Sequence, residues 1–140
     1  MDEKLRELVR QWHIKAENDL ATINNEFGSE NTVTDSVCFH AQQAVEKYLK
    51  SFLIANQQPF RNTHSITEIL RVCIELDPDF RTLDYAVSLT TYAVELRYPD
   101  DFFITDLDEA KEAYRIAKEV KSYVLKKLQV LFPDGGWSVS

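Results

Sequence analysis

Apolar residues recur at steps of three and four along almost the whole chain, and this periodicity decides what the chain can fold into, because only an α-helix gathers such positions on one side. Leu5, Leu8, Val9, Trp12, Ala16, Leu20 and Ile23 form one stripe, with Gly28 as its stop. Val37, Ala41, Ala44, Val45, Tyr48, Leu49, Phe52 and Leu53 form a second, ending near Asn56 ahead of Pro59. This second stripe is the most apolar and predicts a central helix. Ile66, Ile69, Leu70, Cys73 and Leu76 make a short third, behind a Ser65/Glu68 capping box in which each side chain satisfies an orphan N–H of the first turn. Asp77 and Pro78 open a fourth, with Phe80, Leu83, Val87, Thr90, Val94 and Arg97 on related faces. Pro99 ends it, since Tyr98 is driven out of the α region. The last helix starts at Thr105 or Asp106, with Glu109 in the box position, and carries Leu107, Ala110, Ala113, Tyr114, Ala117, Val120, Val124 and Leu128 as far as Leu131.

Short connections force neighbouring helices to run antiparallel, so the pattern predicts an all-α, up-and-down antiparallel bundle of about five helices. The bundle is expected over residues 1–131, and residues 132–140, with Pro133, Gly135 and Gly136, are expected as a flexible tail tethered by Trp137. Three glycines and four prolines in 140 residues are too few for an all-β sandwich or barrel. Val33 and the run Phe102-Phe103-Ile104 are the only strand signals, and both are too short for a sheet. The length suits one domain whose core needs no metal or disulfide support. Cys38 and Cys73 fall within apolar stripes and are expected as reduced core thiols. No uninterrupted apolar run is long enough to span a membrane, and the charged N-terminus has no apolar run behind it, so a soluble, cytoplasmic protein without membrane association is expected.

The formal charge is −7 and the pI about 4.9, which argues against generic DNA binding. The acidity is unevenly spread. Residues 31–60 sum to zero and the stretch from Lys111 to Lys127 carries +4, making it the one concentrated basic surface, a solvated helix face by default.

Three segments together resemble HEPN domains (higher eukaryote and prokaryote nucleotide-binding). They are Trp12-x-x-Lys15-Ala16-x-x-Asp19-Leu20, the run from Cys38 to Lys50 (Cys-Phe-His-Ala-Gln-Gln-Ala-Val-Glu-Lys-Tyr-Leu-Lys), and Arg97-Tyr98-Pro99-Asp100. Thr63-His64-Ser65-Ile66 matches as well, and the likeness extends over about residues 5 to 128. The resemblance implies a five-helix bundle that dimerises, and in many bacterial and archaeal members a neighbouring minimal nucleotidyltransferase, as in a toxin-antitoxin pair. Many members are metal-independent endoribonucleases whose signature is an arginine followed four to six residues later by histidine. Arg97 matches the arginine, but the residues after it run Tyr98, Pro99, Asp100, Asp101, Phe102, Phe103 and Ile104, with no histidine. The group that would deprotonate a ribose hydroxyl or protonate the leaving oxygen is missing from its usual place.

Arg97 beside Asp100 suits bidentate contact with a phosphate, or alternatively a helix cap or a pair with Asp100 or Asp101. His40, Gln43, Lys47 and Lys50 share one polar face of the second helix, opposite its apolar stripe, where a phosphate or RNA strand would fit if the face is more than solvated surface. His40 reads as a hydrogen-bonded, partly buried side chain, and His64 as a loop-ordering group bonding backbone carbonyls. Arg97, His40 and His64 are the candidates for catalysis if any occurs. Three scattered histidines and no Gly-rich loop predict neither metal nor cofactor. The leading expectation is a homodimeric, nucleotide- or RNA-phosphate-binding partner subunit of a minimal nucleotidyltransferase, its site formed by Arg97, His40, Gln43, Lys47, Lys50 and Asp100. The alternatives are a metal-independent endoribonuclease with a displaced acid-base residue and a purely structural dimeric adaptor.

Overall fold

The computed structural model describes residues 3–93 and 104–134, and every regular element among them is helical. In chain order these are α1 (Glu3–Phe27), α2 (Thr34–Ala55), α3 (Ile66–Leu76), a 3-10 helix η1 (Pro78–Tyr92) and α4 (Leu107–Leu131). The all-α bundle expected from periodicity is the fold. α2 lies between α1 and α4 and also backs α3 and η1, whereas α1 and α4 scarcely touch. Its stripe from Val37 to Leu53 is buried throughout, and Tyr48 and Leu49 are fully enclosed. Burying each large apolar side chain of this kind contributes roughly 1.5–3 kcal/mol.

The helix ends follow local chemistry. The Asp106 carboxylate accepts the Glu109 N–H at 2.7 Å while the Glu109 carboxylate accepts the Asp106 N–H at 3.4 Å, a complete capping box at α4. At α3 only half of the expected box forms. Ser65 Oγ accepts the Glu68 N–H at 3.3 Å, but the Glu68 carboxylate turns to Arg61 at 2.9 Å, and the Ser65 N–H finds Thr63 Oγ1 at 3.1 Å instead. An arginine offers a carboxylate a charged donor, which a backbone N–H cannot match.

The fourth helix differs from the simple α-helical stripe. Its buried residues are Phe80, Leu83, Ala86 and Leu89, spaced by three throughout, which is the repeat of a 3-10 helix. Val87 and Thr90, placed on the stripe by an α-helical period, are only half-buried. The expected continuation through Val94 and Arg97, with its stop at Pro99, lies outside the described residues, as do Trp137 and most of the expected tail. Phe132, assigned to that tail, is buried, and the Arg6 guanidinium lies 5.7 Å from its ring centroid. Phe80 joins three elements, with ring centroids 4.3 Å from Phe52 of α2 and 5.1 Å from Tyr123 of α4. Cys38 and Cys73 are buried free thiols. No described helix is long and apolar enough to cross a membrane.

Asp77 ties η1 to α4. Its carboxylate accepts the Asp79 N–H at 3.1 Å and pairs with Lys127 Nζ at 2.7 Å. The hydrogen bond from Lys127 is the main reason its pKa lies below the ordinary 3.8. A carboxyl group whose pKa is lower in the native state stabilises the fold above its unfolded value and loses that contribution as pH falls through the native value. Asp77→Ala is therefore expected to lower stability by about 1 kcal/mol at neutral pH. Urea unfolding measures this, and the difference from wild type should begin to shrink as pH falls past the ordinary 3.8 and be lost only as pH passes through the lower native value.

Candidate functional site

Because α2 packs against all four other helices, the polar residues it buries must be satisfied inside the protein. Gln42, Glu46, Lys50 and Ser51 are all buried. Glu46, 3% exposed, is the hub: its Oε1 accepts from Lys50 Nζ at 2.7 Å and from His64 Nδ1 at 2.8 Å. The Gln42 and Gln43 amides approach its Oε2 at 3.5 and 3.4 Å, and Gln43 also donates to Gln42 Oε1 at 2.7 Å. Gln42 further donates to the His64 carbonyl at 3.0 Å, clamping the loop before α3 onto α2. Lys50 stands 5.7 Å from the Trp12 ring centroid and 5.9 Å from that of Phe60, so its ammonium is enclosed by a carboxylate and two aromatic rings.

One turn toward the start of α2, Asp19 of α1 plays the corresponding part. It is 7% exposed, and its two oxygens bind His40 Nδ1 at 2.8 Å and Lys47 Nζ at 2.7 Å. Beside it, Glu17 pairs with Lys121 of α4 at 2.8 Å and with His13 at 3.4 Å, so α1 is ion-paired to both of its neighbours. Burial holds the His13 pKa below its ordinary value, against the pull of Glu17.

A carboxylate only accepts hydrogen bonds, so Nδ1 carries a proton in both His40 and His64, and Nε2 is the ring nitrogen left clear of the carboxylate. Each ring is thus held in one orientation by a buried carboxylate. His64 is largely exposed and His40 about one-quarter exposed. Burial pushes the Cys38 thiol up to about 11, which makes it inert at neutral pH.

The first turn of α2 is anchored separately. Asp35 Oδ1 accepts from Thr105 N and Oγ1 at 3.0 and 2.8 Å, Thr34 Oγ1 donates to the Thr105 carbonyl at 2.8 Å, and Tyr92 donates to Glu109 at 2.6 Å. Both flanks of segment 94–103 are thereby fixed at the His40 end of α2. Arg97 and Asp100 themselves lie outside the described residues.

The HEPN domain family matches residues 9–128. The chain belongs to that family. No curated protein and no solved structure matches it. HEPN membership supports a nucleotide- or RNA-related function.

Of the residues expected on one polar face of this HEPN bundle, His40 and Lys47 are brought together by Asp19 and stay partly exposed, while Gln43, also partly exposed, joins the Glu46 cluster. Lys50 is enclosed instead: it is 4% exposed and neutralised by Glu46, which corrects its placement opposite the apolar stripe. Helical spacing aligned it with the others, but the surrounding helices cover that part of α2. His64 also departs from expectation, since its imidazole bonds a carboxylate and its own carbonyl is the backbone group that is bound. Asp19 and Glu46 were present in the sequence motifs only as members of a pattern, and nothing local marked them as the acceptors of the site. Half of the basic residues in the α4 stretch are ion-paired, Arg115 to Glu112 and Glu119, Lys121 to Glu17, and Lys127 to Asp77 and Asp79, while Lys111, Lys118 and Lys126 are exposed. No group of His, Cys, Asp and Glu among the described residues is arranged to hold a metal ion.

Removing the carboxylate of a buried pair leaves its partner charged and unsolvated. Glu46→Gln is expected to destabilise the protein by about 3–5 kcal/mol, whereas the double variant Glu46→Gln/Lys50→Met should recover most of the loss. Equilibrium urea unfolding of the single and the double variant measures both effects.

Proposed function

We propose that this HEPN domain protein binds the phosphate of a nucleotide or RNA through His40, Gln43 and Lys47 on α2 and, from its sequence motif, through Arg97 and Asp100. It acts as a homodimeric partner subunit of a minimal nucleotidyltransferase, in a toxin-antitoxin-like pair within the cytoplasm. One observation carries the reading: Asp19 holds His40 and Lys47 side by side, partly exposed, with donor capacity left over. A lysine ammonium has three N–H donors and Asp19 occupies one, leaving the others for a phosphate.

A second reading, a metal-independent endoribonuclease, is favoured by the carboxylate-held rings of His40 and His64. A histidine fixed through Nδ1 presents Nε2 as a general base, and an arginine stabilises the charge on a phosphorane. Either ring would then substitute for the histidine that the Arg97 segment lacks.

Calorimetric titration with ATP, AMP and short RNA tests the main reading. Binding is expected, and Arg97→Ala should weaken it by about tenfold, in keeping with loss of a charge-assisted hydrogen bond. No heat with any of these ligands would leave only a protein-interaction role. Incubation with mixed RNA in EDTA should give no cleavage; specific cleavage that disappears in Arg97→Ala and His64→Ala would establish the nuclease instead. Co-purification with a minimal nucleotidyltransferase encoded beside it tests the partner, and sedimentation as a monomer at micromolar concentration would remove the homodimer.

A further inference from the structure

An open groove of about 510 Å³ lies between α1 and α2, lined by Gln11, Trp12, Lys15 and Lys47. Its size is within the range of small-molecule sites, roughly 300–1,000 Å³. Its wall is mostly the half-buried Trp12 indole with the methylene stems of the two lysines, and its polar groups are two cations and one amide. Lys15 is exposed and has no carboxylate partner among the described residues.

Trp12 is also fixed in place. Lys50 stands within the fold 5.7 Å from its centroid and is itself held by Glu46, so the indole is a supported platform. At the far side of the groove Lys47 is held by Asp19, the carboxylate that also holds His40. The groove is therefore continuous with the candidate phosphate site through Lys47.

A ring face flanked by ammonium groups matches a planar base joined to a phosphate, since any nucleobase stacks on an aromatic ring while lysines neutralise the backbone. We propose that this groove binds one nucleotide unit, with the base stacked on Trp12 and its phosphate between Lys15 and Lys47. A free mononucleotide and one residue of a single-stranded RNA share this chemistry. The inference rests on the phosphate-binding reading above and assigns Trp12, Lys15 and Gln11, none of which that reading uses.

The protein carries its own probe. Its two tryptophans are Trp12 and Trp137, so Trp137→Phe leaves Trp12 as the sole tryptophan, excited selectively over the tyrosines at the red edge of its absorption. Titrating that variant with AMP and with a hexameric oligoadenylate should quench Trp12 saturably, and adenosine should do so only weakly. Lys15→Glu in the same background should weaken the response by at least about tenfold, and Lys15→Arg should keep it within about threefold, because only the charge next to the phosphate differs. Lys15 is exposed, so both variants should melt with the parent. Hexamer binding that is much tighter than AMP and falls with salt identifies an RNA strand as the source; equal affinities identify a mononucleotide. Unquenched Trp12 in the presence of calorimetrically detected binding, or an unchanged response in Lys15→Glu, would overturn the groove while leaving the phosphate-binding reading intact. Absence of binding by both methods would overturn the two together.

Discussion

The buried Glu46 carboxylate is the point on which the arrangement of the protein turns. A charge at 3% exposure is tolerated only when fully hydrogen-bonded and neutralised, and Glu46 achieves both with donors from its own helix and from the loop before α3. Lys50 supplies the countercharge from one turn further along α2. Gln42 and His64 then bring the loop onto the helix, so the start of α3 is positioned by the same group. Such a cluster contributes little net stability compared with apolar packing, but it permits only one arrangement of its members.

Asp19 repeats the device nearer to solvent, with a different consequence. Where Glu46 encloses its lysine, Asp19 leaves both of its partners partly exposed, so Lys47 and His40 are held in place without being consumed by the fold. The difference comes from what lies around each carboxylate. Lys50 is covered by Trp12 and Phe60, while Lys47 opens onto the groove beside Trp12. One helix thus carries a structural cation and a candidate ligand-binding cation three residues apart.

Carboxylates of α1 and of η1 pair with lysines of α4, and acidic residues of α4 pair with Arg115 on the same helix. Lys121 and Lys127 of the basic stretch therefore join helices, while Lys111, Lys118 and Lys126 remain on its exposed face without a carboxylate partner among the described residues.

The five helices, their caps at Asp77 and Asp106 and the family were legible in the residues, because amphipathic period, capping chemistry and motif spacing are local properties of a chain. The three-residue spacing of Phe80, Leu83, Ala86 and Leu89 was legible too, though an α-helical period passes close enough to conceal it. The roles of Lys50, Asp19 and Glu46 were not. A helical face records which residues point the same way, but whether that face meets water or another helix depends on partners far along the chain, such as Asp19 from α1 and His64 from the loop before α3. The sequence by itself determined the elements and the candidate residues. Only the tertiary structure decided which of those residues are enclosed and which remain available, because burial and pairing are properties of the assembled bundle.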